Sequence, residues 1–189
     1  MEADWEIEIG GDAPIIEAHW SGLVDLRVNP ERARLLPEAQ QLPALSHALV
    51  RLNAPASPVW TSKCDVFVPD HTDPDELDAL DAPRTTAIRT LACYIDILPR
   101  SEDEWSSIKV VETACRIICD RLHSLTARSC RADLVIRRAL LAGEVASLGV
   151  TAYITAVGPN DSSAAKTLSA ALAGFADAAA ASQAPESLP

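Results

Sequence analysis

Between Gly22 and Gly143 the chain contains no glycine. Phosphate cradles of the P-loop and dinucleotide type need glycines where backbone approaches the ligand, so both are excluded there. The later segment Gly143–Gly149 lacks the Lys-Ser/Thr pair of a P-loop. It also lacks the glycine two positions before Ser147 that a nucleophile elbow requires. Aromatic residues make up only 4% of 189 positions, although 48% are apolar. The core must therefore come mainly from Ala, Leu, Val and Ile. A chain of this length buries enough of them to need no disulfide or metal. Basic residues are also short, 16 against 27 acidic, for a net charge of −11. That balance argues against nucleic acid as the main partner and against docking on anionic lipid. No run of about 18 apolar residues is present, so no membrane span is expected.

Cys64, Cys93, Cys115, Cys119 and Cys130 form no CxxC pair, and their number is odd. The acidic start, Met1 to Glu6, has neither the basic region nor the apolar stretch of a secretory signal. Reduced thiols in a cytoplasmic protein are the expectation, with the cysteines acting as small buried hydrophobes. The four histidines, His19, His47, His71 and His123, include no HExxH pair. No cofactor is expected. Thirteen arginines against three lysines fit a GC-rich bacterial genome.

What is present divides into two styles. Nine of thirteen prolines lie between Pro14 and Pro83, and none between Arg100 and Gly158. A loop-rich first half and a regular second half follow, since proline interrupts helices and central strands. One domain over 1–181 and a disordered tail over 182–189 are expected. Period-two alternation predicts strands over residues 5–9, 15–26, 59–68, 87–98, 132–138 and 150–157. Gly10-Gly11-Asp12 suggests that the first two form a hairpin. Helices are expected over 43–52, from about Glu102 to Leu122, and after Asp161, which would cap it. Shorter ones should follow Asn29-Pro30 and Asp73-Pro74, where a capping residue precedes proline.

This order suggests an α+β fold. It would be a two-layer sandwich, a single largely antiparallel sheet of about six strands with three main helices on one face. Trp5, Ile7, Ile16, Trp20, Val24, Trp60, Cys64, Val66, Cys93, Ile95, Leu134, Ile136, Val150 and Ile154 fall on the expected helix-covered face. The other face carries Glu17, His19, Asp25, Lys63, Asp65, Tyr94, Asp96, Asp133, Arg137, Thr151 and Tyr153. A slip of one residue would exchange these sets.

The second set holds the candidate chemistry. His19, Asp65, Asp96 and Asp133 are the candidate catalytic residues of a small metal-assisted hydrolase, carboxylates holding the ion and histidine moving a proton. Glu17, Lys63, Tyr94, Arg137 and Tyr153 are the candidate binding residues, tyrosine being enriched at interfaces. A solvated face with cross-strand charge pairs is the simpler alternative. Elsewhere, seven acids and no base lie between Asp65 and Asp81. The EF-hand glycine is missing there, so helix capping explains them better than calcium. Arg116 to Arg138 carries six arginines against Asp120 and Asp133. Opposed charge blocks can pair within a chain or across two. The expectation is an interaction or accessory protein with a protein partner, or a homodimer. A hydrolase and a small-ligand-binding domain are the alternatives.

Overall fold

The computed structural model describes residues 1–18, 20–69, 88–101, 104–141 and 144–182. Strands β1 (Glu2–Ile7) and β2 (Ile16–Glu17) come first, followed by a 3-10 helix, Pro30–Leu35. Helices α1 (Pro37–Gln41) and α2 (Pro43–Leu52) lead to β3 (Val59–Phe67) and β4 (Arg89–Pro99). Then come α3 (Ile108–His123), β5 (Cys130–Leu141), β6 (Glu144–Gly158) and α4 (Asp161–Ala180). The six strands form one sheet in the order β1-β5-β6-β4-β3, with β2 also paired to β5.

The fold is α+β, and its sheet is mixed. β5–β6, β6–β4 and β4–β3 are antiparallel, whereas β1 and β2 both run parallel to β5. The expected β1–β2 hairpin therefore does not form. Glu8 donates its N–H to Ile136 O, and the chain then loops out before Ile16 meets Ala139. Two successive parts of the same edge thus lie along one strand, separated by the Gly10-Gly11 turn. The second strand is far shorter than 15–26. After Glu17 the chain leaves the ladder and crosses toward β3, where Ser62 Oγ donates to Glu17 O.

Helices α2, α3 and α4 build the main core on one sheet face. Leu45, Leu49 and Leu52 of α2, Val111, Cys115, Ile118 and Leu122 of α3 and Leu168, Leu172 and Phe175 of α4 join one core cluster, in which α4 packs against both α2 and α3. These stripes recur at three and four residues, as an amphipathic helix requires. They cover Ile95, Ile97, Ala132, Leu134, Ile136, Val150, Ala152 and Ile154. Helix α3 begins at Ile108 rather than near Glu102, and buried Trp105 precedes it. Asn160, not Asp161, caps α4, accepting from the Ser163 N–H. Asn29 caps the 3-10 helix in the same way. The expected Asp73-Pro74 helix, the Asp70–Asp81 acids with His71 and the tail from 183 lie outside the described residues. No helix among the described residues is long and apolar enough to cross a membrane.

The three tryptophans assigned to the helix-covered face separate. Trp5 packs against the main core, but Trp20 is exposed and Trp60 is buried on the opposite face. There Ile16, Ala18, Trp60, Leu98 and Ala139 form a second, small apolar cluster. Two facts explain the change. Trp60 pairs with Leu98, one position off the Ile97 row. Ile16 belongs to the crossing segment rather than to a long strand. Gly149 makes this crossing possible: a Cβ there would lie 2.8 Å from Ile16 Cδ1 and 2.9 Å from Leu98 Cδ2. Only a missing side chain allows that approach.

Candidate functional site: the sheet face opposite the helices

The face opposite the helices is set by register. One row across the sheet reads Asp4, Asp133, Tyr153, Tyr94, Asp65. Carboxylates therefore flank a central tyrosine pair on both sides. The rings of Tyr94 and Tyr153 lie 6.2 Å apart at 48°, within the range of a favourable tilted pair. Burial raises the Tyr94 phenol to about 12, with Asp96 and Asp65 adding to the effect. It stays a neutral donor at physiological pH.

The next row contains Glu6, Val135, Thr151 and Asp96. Its centre is buried although no described helix covers it. Thr151 Oγ1 donates to Asp96 Oδ1 at 2.6 Å. Arg137 donates from Nη1 to Tyr153 OH at 3.0 Å and to Thr151 Oγ1 at 3.3 Å. Its Nη2 donates to Glu8 Oε2 at 2.6 Å. Arg137 is thus held on three sides, and its guanidinium lies 5.6 Å from the Tyr153 ring centroid. Burial raises the Asp96 carboxyl above its ordinary range, opposed by the Thr151 hydrogen bond and by the Arg137 and Lys63 charges. A buried carboxylate with one hydroxyl donor keeps part of its desolvation cost.

On β5, next to the β1 edge, Asp133 accepts from Arg131 Nε at 2.6 Å. Burial raises its carboxyl, the Arg131 contact lowers it, and the neighbouring Asp4 and Glu6 charges raise it further. That crowding makes this corner electronegative. At the other edge, Lys63 Nζ pairs with Glu17 Oε2 at 2.8 Å and lies 5.7 Å from the Trp20 ring centroid. The Lys63 contact holds the Glu17 carboxyl below its ordinary range. Asp25 pairs with Arg27, whose guanidinium stacks 3.9 Å over Trp60.

The structure thus puts Tyr94, Tyr153, Thr151, Asp96 and Arg137 into one connected group. Asp65 and Asp133 stand at opposite ends of the tyrosine row, three strand spacings apart. At about 4.8 Å per spacing this is roughly 14 Å, beyond what one ion with 2–3 Å ligand distances spans. Among the described residues no group of three His, Cys, Asp or Glu side chains could hold a metal ion. His19 lies outside the described residues. Glu8 was not among the sequence candidates, yet it holds Arg137. Its signal was the alternation of Glu6 and Glu8 with Ile7, which continues the polar face by one position. The basic run is partly consumed within the chain, since Arg131 meets Asp133 and Arg137 meets Glu8.

The cysteines are all free. Burial pushes the Cys64, Cys115 and Cys119 thiols up to about 12 and raises Cys93 and Cys130 as well. Protonated thiols are poor nucleophiles. Comparison with known proteins finds no family model, curated protein or solved structure that matches this chain.

Proposed function

We propose that this chain is a non-catalytic interaction protein whose sheet face opposite the helices receives a cationic segment of a protein partner. The observation that carries the reading is the row Asp4, Asp133, Tyr153, Tyr94, Asp65. Tyrosine and arginine dominate binding energy at protein interfaces, most strongly at their centres. Here the tyrosine pair is central, Arg137 is fixed beside it, and exposed acids stand at the rim. Rim carboxylates attract a basic partner and set its orientation, while rings held by neighbours lose little freedom on binding. The same chemistry would serve a basic surface of a second copy, so homodimerisation is one form of this reading.

The test uses the full chain and a labelled oligo-arginine peptide, with oligo-glutamate as control. Binding should weaken with salt. Chemical-shift changes should gather on Asp4, Asp65, Tyr94 and Tyr153. Tyr153→Ala leaves the net charge unchanged and should weaken binding roughly tenfold, as an interface centre does. Shifts scattered over the whole acidic surface, or an affinity indifferent to Tyr153→Ala, would overturn the proposal. Light scattering at low and high salt reads out the dimeric form.

A further inference from the structure

A second feature lies beside the tyrosine row and shares Tyr94 with it. A cleft of about 260 Å³ opens at the β3 edge, lined among others by Trp20, Val24, Leu36, Glu38 and Lys63. At about 30 Å³ per liquid water, this is roughly nine waters of space, a small-metabolite volume.

Its construction is local and specific. The β3–β4 register shifts between Thr61 and Cys64, so Ser62 and Lys63 form a bulge. Bulges re-aim side chains, and this one places Lys63 at the cleft. Opposite it, Gly22 turns the crossing segment with φ +98°, and a Cβ there would stand 3.3 Å from the Trp20 ring. That turn keeps the half-exposed Trp20 ring at the cleft lip. The apolar wall comes from Val24, Leu26 and Leu36.

The two charged groups define the ligand. The half-buried Glu38 carboxylate, from the first turn of α1, has no hydrogen-bond or ion-pair partner among the described residues. Lys63 pairs with Glu17 and not with Glu38. Both line the same cleft without meeting. A purely cationic ligand would be opposed by Lys63, and a purely anionic one by Glu38 and Glu17. A ligand with ammonium and carboxylate on one carbon answers both charges.

We infer that this cleft binds a free α-amino acid with an apolar side chain. Its ammonium meets Glu38, its carboxylate meets Lys63, and its side chain lies against Val24, Leu26 and Leu36 under Trp20.

Calorimetric titration of the full chain with leucine, methionine and phenylalanine tests it, with Trp20 fluorescence as a second signal. Isopentylamine and isocaproate each keep the leucine side chain but only one charge. Both should bind at least roughly tenfold more weakly than leucine, the cost of about one charged contact. Glu38→Gln should reduce leucine to the level of isocaproate, and Lys63→Met to that of isopentylamine. Glu38→Gln should leave oligo-arginine binding intact, since Glu38 lies in the cleft and not in the tyrosine row, which separates the two sites. Silence of all three amino acids, equal binding of either single-charge analogue, or indifference to both cleft variants would overturn the inference. Glu38 is half-buried on a short helix, so a folded Glu38→Gln chain remains available if Lys63→Met is unstable.

Discussion

The two faces of the sheet are built on opposite terms. On the helix-covered face β1, β3, β4, β5 and β6 offer mostly small or branched apolar residues, and three helices remove them from water. On the other face a buried carboxylate, a buried threonine and a nearly buried guanidinium satisfy one another, with a small apolar cluster at one end. The first arrangement draws on area removed from water, which tolerates changes of shape. The second depends on geometry, because each polar group is costly if its partner is taken away. The lesson is that the face opposite the helices is a structured surface, more than a set of solvated charges.

The largest effect should come from the helix-covered face. Phe175 is fully buried there, and Phe175→Ala should cost about 3–5 kcal/mol in equilibrium denaturation. Tyr153→Ala, from a half-buried ring on the other face, should cost less. Equal losses would show that the two faces share one core. Next comes Gly149, where the small cluster closes over the sheet. A methyl there meets Ile16, Leu98 and the Ile97 carbonyl within 3.1 Å. Gly149→Ala should cost about 1–3 kcal/mol from overpacking, measured by thermal and urea unfolding. A neutral variant would mean that the crossing segment yields freely and that the cluster does not fix it.

The same contrast explains what the sequence made legible. Alternation along β4, β5 and β6 sorted the two faces correctly because those strands are long and regular. Helix α2 was readable to the residue, since Pro43 starts it and Leu45, Leu49 and Leu52 share one side. Three features were not readable. Parallel pairing of β1 to β5 joins residues far apart in the chain, and no local pattern encodes it. The bulge at Ser62–Lys63 shifts the register within β3, so alternation misassigned Trp60. The strand expected over 15–26 ends at Glu17 because Gly149 lets Ile16 cross the sheet, a contact visible only in three dimensions. The candidate residues themselves were visible as charges and tyrosines on one face. Their connection through Thr151 and Arg137 depends on which rows meet, and strand order decides that.

The smallest effect is the most diagnostic, because its sign differs from the others. Asp96 is 6% exposed, and burial raises its carboxyl above the ordinary range. Between its unfolded and folded titration points the native state holds a proton that the unfolded chain has lost. Stability from this group is therefore lost as pH rises through that window, and a fixed penalty remains above it. Asparagine keeps an oxygen for the Thr151 hydroxyl and carries no charge to desolvate. Asp96→Asn should accordingly be slightly more stable than the parent at neutral pH. The advantage should shrink as the pH falls through the acid range and Asp96 takes up its proton. Urea denaturation of both chains across that range measures it. A variant less stable at neutral pH, with its deficit vanishing in acid, would reverse the sign. Arg137 and Lys63 would then hold Asp96 as a net stabilising anion, and the face opposite the helices would owe its order to ion pairing more than to neutral hydrogen bonds.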